Sequence, residues 1–487
     1  MSKDSLGNTL SGTVKVFISE AIILPTAIVA AAFLTRKLTT SEYGQLALAA
    51  TIVAWVEWTI SSFFSRSALK LVSEAEDWRP ISSLIIKLHF LMGVCGMFLV
   101  GLFAKPTAIV LNEPTLARYL LYFSLDIPFW CIGFGYKNIL ISIGKYNARA
   151  IVSMTRWMLR LLLIILFVEC GFGVDGVIAA NILASLVEVL VCRLYANLPL
   201  WQTANYPARR LLAYSLPLFL FSLFMRLYDK IDLMALKALG GSAEQAGVYA
   251  AAQNLTVVPG LFSFAFTSLL LSTLTRLFKT NNRDEVVKMS TQSMRLILFM
   301  LPFASLSASV SDEIALLLFG KQFEMAGSVL AILIFGSVAI SMLSVTTAIL
   351  TAADRQNLTV FLVVPLLPIT LFGHYLAIPK YGLLGAASVS AATSLLSALA
   401  SLLIIYRLFK LSVSSATFLR SSLVSLFVYR FAVYLPMPGL LLIAKIALIS
   451  LSIPLLLLLL GEFSSNELRQ IKEAVVARLA TISRESF

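Results

Sequence analysis

The amino-acid sequence predicts an all-α protein that crosses a membrane many times, and three observations support this. Its 487 residues are 59% hydrophobic and only 13% charged, and the mean hydropathy of +0.90 is too high for a soluble protein. Apolar runs close to the roughly 20 residues that a spanning helix needs recur along the whole chain. Short pieces of the first half also recur, in the same order, in the second half.

The apolar runs, divided where charged residues, glycine or proline interrupt them, give about fourteen predicted spans. They begin near residues 13, 43, 80, 115, 148, 174, 211, 245, 287, 323, 357, 383, 416 and 438. The connections are short, so we expect function to reside within the membrane. The N-terminal stretch is polar and has no small-residue cleavage site, and we therefore expect the first helix to be retained.

Basic residues are divided unevenly between alternate loops. One set of loops holds most of them, including Arg66, Arg149, Arg210, Lys279 and Arg407. Loops rich in Lys and Arg stay on the cytoplasmic side, so we predict that both termini are cytoplasmic. The net charge of +13 then reflects contact with anionic lipid, and we expect no nucleic-acid partner.

Several classes of chemistry lack their residues in this sequence. The four cysteines, Cys95, Cys131, Cys170 and Cys192, all lie in apolar runs, which favours core packing over a disulfide framework or metal cluster. The two histidines are His89 and His374, and there is no Gly-rich phosphate loop. We therefore expect no cofactor. A membrane-embedded polysaccharide polymerase or ligase is the main enzymatic alternative, but it would need a sizeable outer loop.

The recurring pieces indicate an internal duplication with an offset of 203 to 210 residues. Residues 41–51 resemble 244–254, residues 144–150 resemble 353–359, and residues 171–186 resemble 380–395. Six predicted spans separate equivalent positions of the two copies. Because six is an even number, both copies should enter the membrane from the same side, so the halves should be parallel and related by an axis along the membrane normal. We predict an N-lobe at 1–205, a C-lobe at 206–411, two extra spans at 412–462 and an amphipathic cytoplasmic tail at 463–487.

A succession of phrases resembles one family of transporters. They are LTTSEYGQLALA, PLFLFSLFMRLYDKIDLMALKALGGSAEQAGVYAAAQNL, LLLFGKQFEMAGSVLAILIFG, AILTAADRQN and IPKYGLLGAASVSAATSL. Together they resemble the O-antigen and exopolysaccharide flippases (Wzx-type) of the multidrug/oligosaccharidyl-lipid/polysaccharide (MOP) superfamily. The resemblance implies a fourteen-helix, two-lobed, V-shaped transporter that moves polyprenyl-diphosphate-linked oligosaccharide outward. It also implies that the two extra helices flank a groove for the lipid tail.

Basic residues inside apolar segments are the candidates for binding an anionic cargo. An ionised side chain at the bilayer centre costs about 2.5 to 3.5 kcal/mol on insertion scales, so it usually faces a wet cavity or another charge. The candidates are Arg226, Lys230, Arg160, Arg156, Lys87 and Arg295. Alternatives stay open: Arg226 could only neutralise Asp229, Lys230 could snorkel to the interface, and Arg156 and Lys87 could reach lipid phosphates.

Acidic residues in the same segments are the candidates for ion coupling or charge balance. They are Glu20, Glu57, Asp126, Glu188, Asp229 and Asp232. A carboxylate in a low-dielectric site can take up and release a proton during a transport cycle. Sodium binding is equally open, because spacing does not distinguish the two ions. Structural pairing with an arginine is the alternative role for Glu20, Glu57, Asp126 and Glu188. Asp229 could only neutralise Arg226, and Asp232 could snorkel at the outer interface.

The sequence therefore predicts a flippase for lipid-linked oligosaccharide in the bacterial inner membrane, driven by a proton or sodium gradient. Membrane lipids, a polysaccharide polymerase and a chain-length regulator are the expected partners. Two other transport functions remain as alternatives, a cation-coupled multidrug exporter of the same superfamily and a lipid II flippase. The multidrug exporter would favour an aromatic and acidic cavity, whereas the candidates here are rich in Arg and Lys.

Overall fold

A computed structural model describes residues 22–74, 77–198, 230–280, 282–435 and 441–463, together with the single residues 19, 437 and 439. Every regular element in these ranges is helical. The first half contains α1 (Ile23–Lys37), α2 (Thr40–Glu74), α3 (Trp78–Val110), α4 (Pro114–Phe123), α5 (Asp126–Ser142), α6 (Tyr146–Glu169) and α7 (Gly173–Ala196). The second half contains α8 (Ile231–Ala238), α9 (Ala243–Lys279), α10 (Arg283–Leu298), α11 (Met300–Ser309), α12 (Ser311–Phe319), a 3₁₀ turn (Lys321–Phe323), α13 (Ala326–Ala352), α14 (Gln356–Val363) and α15 (Leu366–Phe409). Two further helices follow, α16 (Ser415–Tyr434) and α17 (Leu441–Leu459).

Eight helical segments in the described part of the chain are long and apolar enough to cross a membrane. A ninth is added if the pair formed by 283–309 and 311–319, which is bent by 63°, counts as one broken span. The protein is thus an all-helical, multi-pass membrane protein. Fourteen spans, cytoplasmic termini and the lobe boundaries stay predictions.

The starts of α2 and α9 share one local hydrogen-bond pattern. Thr39 and Glu42 exchange hydrogen bonds at the start of α2, where the Thr39 N–H donates to Glu42 Oε2 and the Glu42 N–H donates to Thr39 Oγ1. Ser242 and Gln245 do the same at the start of α9. The two capping boxes are separated by the offset of the sequence repeat, 242 − 39 = 203.

Backbone conformation agrees at the other repeated pieces as well. Gly173 and Gly382 both have a φ of +54°, a value that favours glycine. In the turns before α6 and α14, Gly144 has φ +75° and the matching Asp354 has φ +58°. These matches support the internal duplication, because the same sequence piece produces the same turn in each half.

The core joins the two halves, whereas the last two helices form a separate cluster. In the main core, α2 packs on α9, and α13 packs on both α9 and α15. The second cluster is apolar and includes Leu306 and Val310 beside Val428 of α16 and Ile449 of α17. The extra helices are therefore attached to the second half, at α11, by their own apolar contacts.

Candidate functional site

A cavity of about 310 Å³ lies between α1, α2, α6, α7 and α9. Its wall consists mainly of small apolar side chains, which leave the space open. The lining residues are Ala27, Ala30, Ala31, Leu34, Tyr43, Leu46, Ala47, Ala50, Thr51, Ala54, Phe123, Arg160, Val177, Asn181, Lys230, Ala250 and Asn254. Helices from the first half and α9 from the second half both contribute to the wall.

Two of the predicted cargo-binding cations lie on this wall, namely Arg160 and Lys230. Arg160 is held in place by Asn181 of α7, whose Oδ1 accepts a hydrogen bond of 2.7 Å from Arg160 Nε. Lys230 precedes α8 in a left-handed backbone conformation with φ +62°. Arg160 and Lys230 are the charged residues on the described part of the wall, and both are cations, while the buried carboxyl groups of Glu57 and Asp126 are close enough to act on Arg160.

A polar contact between the halves forms another part of the wall. The Asn254 side-chain amide of α9 donates a hydrogen bond of 2.9 Å to Tyr43 Oη of α2. Amide and hydroxyl groups on a cavity wall are typical of sites that bind sugar hydroxyls.

Arg156 and Glu188 form a buried charge cluster with Lys137. Glu188 lies 2.8 Å from Lys137 Nζ and 3.1 Å from Arg156 Nε, and its side chain is 0% exposed. Arg156 also donates a hydrogen bond of 3.0 Å to Ser185 Oγ. Neither Arg156 nor Glu188 is among the described residues that line the cavity. Glu188 therefore has the arginine partner that its structural alternative requires, and the roles predicted for Arg156 and Glu188 stay predictions.

Glu57 and Asp126 are buried close to this cluster. The charges of Arg156 and Arg160 act on both carboxyl groups. Glu57 Oε1 and Asp126 Oδ1 are buried and accept no hydrogen bond from any described residue. A buried carboxyl oxygen with no donor is a position at which a proton or a cation can be added.

Asp232 has a different environment, because its hydrogen-bond donors are neutral. Gln253 Nε2 and the Leu233 N–H donate to Oδ1 at 2.8 and 2.9 Å. Tyr249 Oη and Ser390 Oγ donate to Oδ2 at 2.7 and 3.0 Å. No cation is paired with this buried carboxylate among the ion pairs of the described residues. These four donors occupy roughly the four lone-pair positions of the carboxylate, so a proton or a small cation can be added only when a donor moves or a hydroxyl reverses its hydrogen bond.

His374 of α15 lies within electrostatic reach of Asp232. It is 0% exposed, and neither ring nitrogen has a hydrogen-bond partner within the described ranges. The sequence analysis did not assign His374, Tyr249, Gln253 or Ser390 to any site. Polar residues inside an apolar run were the available signal, but the carboxylate they share was not apparent from spacing.

Arg295 is committed to an ion pair far from the cavity wall. Its Nε lies 2.8 Å from Glu462 Oε1, and Arg420 lies 3.0 Å from Glu462 Oε2. Thr417 donates a further hydrogen bond of 2.6 Å to Glu462. Burial tends to raise the pKa of Glu462, but the hydrogen bonds from Thr417 and Arg420 and the charge of Arg295 together lower it below the ordinary range. These ion pairs and the Thr417 hydrogen bond connect the end of α17 to α10 and α16.

The remaining predicted site residues are placed elsewhere or not described. Lys87 is half-buried on α3 and is not among the described lining residues. Arg226, Asp229 and Glu20 lie outside the described residues. The structure therefore brings together Arg160 and Lys230 at one cavity, with Glu57 and Asp126 beside Arg160.

The fold defines a class of protein, the all-helical multi-pass membrane proteins. The likeness to solved structures agrees with this class. The inward closed conformation of the lipid II flippase MurJ matches with a TM-score of 0.74 at 15% identity, over 92% of this chain and 98% of that one. A MOP superfamily transporter from Pyrococcus furiosus matches with a TM-score of 0.63 at 14% identity, over 83% and 95%. The inward-facing conformation of a multidrug resistance MATE family transporter matches with a TM-score of 0.60 at 15% identity, over 85% and 95%. At these identities the likeness shows the shared fold.

The family follows from the sequence comparison. Residues 33–328 match the family described as Polysaccharide biosynthesis protein, and the chain belongs to that family. It is 26% identical over 260 residues to the capsular polysaccharide biosynthesis protein CapF of Staphylococcus aureus, covering 52% of this chain and 62% of CapF. It is 26% identical over 313 residues to the succinoglycan biosynthesis transport protein ExoT of Rhizobium meliloti, covering 62% of this chain and 60% of ExoT. The matched region thus spans about 60% of the length of these curated relatives.

Proposed function

We propose that the protein moves a polyprenyl-diphosphate-linked oligosaccharide from the inner to the outer leaflet of the bacterial inner membrane. The observation that carries this proposal is the pair of cations, Arg160 and Lys230, on a cavity whose described wall holds no carboxylate. The family and the name of the relative ExoT, a succinoglycan transport protein, support a saccharide cargo.

The charge of the wall decides between an anionic and a cationic cargo. Two like unit charges 4 Å apart repel by about 4 kcal/mol at an effective dielectric constant of 20. A cationic drug beside Arg160 or Lys230 would experience this repulsion, whereas a diphosphate would gain a similar attraction. The charge therefore disfavours a multidrug exporter. A lipid II flippase would use the same diphosphate chemistry, and the sugar attached to the lipid distinguishes that alternative.

Transport is proposed to follow alternating access with an ion gradient as its energy source. Glu57, Asp126 and Asp232 are the proposed ion-coupling residues, and all three are buried. Glu57 and Asp126 each have a carboxyl oxygen with no donor among the described residues, and the described donors of Asp232 are all neutral. Arg226, Asp229 and Glu20 keep their proposed roles on the basis of the sequence alone. We place both termini in the cytoplasm from the loop charges, and we propose a polymerase and a chain-length regulator as partners.

Binding of a short polyprenyl diphosphate to the purified protein tests the cargo class. Replacing Arg160 by Ala removes a charge-assisted contact worth about 1.5–3 kcal/mol, so the affinity should fall roughly tenfold or more. Arg160→Lys should retain part of the affinity, because the charge remains but the planar fork is lost. Arg407→Ala is the matched control, since Arg407 is an exposed arginine near the end of α15.

The same variants should be tested for surface polysaccharide in a strain that lacks the chromosomal gene. Arg160→Ala should lower export at normal protein abundance, and Arg407→Ala should leave it unchanged. Equal affinity of wild type for the diphosphate and for the corresponding neutral alcohol would contradict the proposed cargo class. Export that persists undiminished in a variant lacking both Arg160 and Lys230 would also contradict it.

A further inference from the structure

The N-terminal ends of α2 and α9 cross at two glycines, Gly44 and Gly247, which come from opposite halves of the chain. A Cβ atom on Gly44 would overlap the Ala243 carbonyl oxygen and lie 2.7 Å from the Gly247 nitrogen. A Cβ atom on Gly247 would overlap the Thr40 carbonyl oxygen. The two backbones therefore touch directly, and no side chain larger than hydrogen fits between them.

A buried ion pair joins the halves beside this crossing. Lys237 of α8 lies 2.8 Å from Glu113, the residue before α4, and the two side chains are only 5% and 14% exposed. Gln45, next to Gly44, donates a hydrogen bond of 2.9 Å to the same carboxylate. Separating the halves at this point would break the Lys237–Glu113 ion pair and return two charges to water, whereas the Gln45–Glu113 hydrogen bond lies within the first half.

The crossing lies at one end of the cavity. Tyr43, the neighbour of Gly44, lines the cavity and accepts the hydrogen bond from Asn254. Asn254 lies seven residues after Gly247, which is two turns or about 10 Å along α9. Arg36 adds another link between the halves, since it donates a hydrogen bond of 2.6 Å to the Leu317 carbonyl.

We propose that the Gly44–Gly247 crossing and the Glu113–Lys237 ion pair form the closed gate between the cavity and the outer side of the membrane. The outer side follows from the predicted topology, because Arg66 and Lys279, towards the opposite ends of α2 and α9, belong to the loops predicted to be cytoplasmic. The inference goes beyond the cargo class but rests on this topology and on the proposed transport by alternating access. Packed interfaces switch between discrete arrangements rather than deforming gradually. The glycine crossing has the properties of such an interface, because the backbones are either in contact or apart.

The ion pair makes the gate reversible. When the gate closes, Glu113 and Lys237 lose their hydration and form one short contact. The free-energy cost of desolvating the two charges is then nearly equal to the gain from their Coulomb attraction. When it opens, both charges regain water. A near-balanced contact of this kind holds the gate closed without preventing its opening, whereas an apolar patch of equal area would favour the closed state more strongly.

Thiol accessibility measures the gate without any cargo. Ala50 lines the cavity, so Ala50→Cys, in a chain whose native cysteines are replaced, reports whether the cavity is open. A membrane-impermeant thiol reagent is applied to spheroplasts, where it reaches only the outer side. Gly44→Ala and Gly247→Ala should each speed labelling about tenfold or more, which corresponds to ~1.4 kcal/mol. Gly101→Ala is the matched control, since a Cβ there meets only the Leu121 side chain at an ordinary 3.6 Å.

Charge exchange at the ion pair provides a second measurement that does not add a side chain at the crossing. Glu113→Lys and Lys237→Glu should each speed labelling at Ala50→Cys, because each places two like charges together. The double variant restores opposite charges and should return the labelling rate to that of the parent.

The outcomes are distinct. Parent-like labelling in both alanine variants would overturn the gate, as would an equal increase in Gly101→Ala. A double charge exchange that labels as fast as the single variants would show that the pair does not close the gate. Since labelling reports opening of the cavity and not binding of cargo, any of these results leaves the diphosphate-binding test on the purified protein unaffected.

Discussion

Glu188 holds two buried cations, and its removal should destabilise the protein far more than removal of an exposed acid. In Glu188→Gln, Lys137 and Arg156 lose their shared carboxylate while their side chains remain only 11% and 6% exposed. Breaking a buried pair by removing one partner costs about 3–5 kcal/mol. With one carboxylate serving two cations and almost no solvent to replace it, the upper part of this range is expected.

Thermal unfolding of the purified protein in detergent measures the effect. The shift in Tm per kcal/mol decreases with chain length, so a loss of 3–5 kcal/mol should lower Tm by roughly 3–10 °C. Glu169→Gln is the control, because the Glu169 side chain is 50% exposed in its ion pair with Lys37 and such surface pairs contribute about 0–1 kcal/mol.

Removing the cations together with the acid should recover stability. A variant with Met at positions 137 and 156 and Gln at position 188 leaves no unpaired buried charge, and it should melt closer to wild type than Glu188→Gln does. The reasoning fails if Glu188→Gln and Glu169→Gln have the same Tm. It also fails if the triple variant is the least stable of the series.

Three further predictions concern separate charges. Asp232→Asn should abolish the dependence of transport on an imposed proton or sodium gradient while leaving diphosphate binding intact, as measured in proteoliposomes. If the gradient dependence of transport is unchanged, Asp232 is excluded from ion coupling. Folding lowers the pKa of Glu462, so the ionised carboxylate stabilises the protein above the unfolded pKa, and this stabilisation is lost as pH falls through the folded pKa. Glu462→Gln should therefore reduce the fall of Tm between about pH 5 and pH 3. A pH profile of Tm identical to that of wild type would contradict this. Arg226→Ala should abolish surface polysaccharide at normal abundance, and Arg226→Ala with Asp229→Ala should remain inactive if Arg226 binds cargo; full recovery in the double variant would show that the two residues only neutralise each other.

Hydropathy and repetition in the sequence predicted much of the fold. The apolar composition predicted a multi-pass helical protein, which the structure and the comparisons confirm. The repeated pieces also identified positions with matching backbone, such as Gly173 and Gly382 with equal φ. Local sequence determines caps and turns directly, and this explains why these features could be predicted without knowledge of packing.

Partners across helices could not be predicted in the same way. The position of Arg156 on α6 restricts which face it occupies but does not reveal that Glu188 on α7 lies opposite. Arg295 and Glu462 are separated by 167 residues, and their contact depends on how α17 packs against α10 and α16. Asp232 likewise takes its donors from α9 and α15. Inter-helix register is set by the packing of many side chains together, and a hydropathy pattern does not contain it.

The contact between Gly44 and Gly247 also couples two positions that are distant in the chain. The predicted repeat makes the two glycines equivalent, and a residue that touches its own equivalent lies beside the axis that relates the two copies. Each glycine leaves no room for a side chain on the other, so the two positions are under one shared constraint.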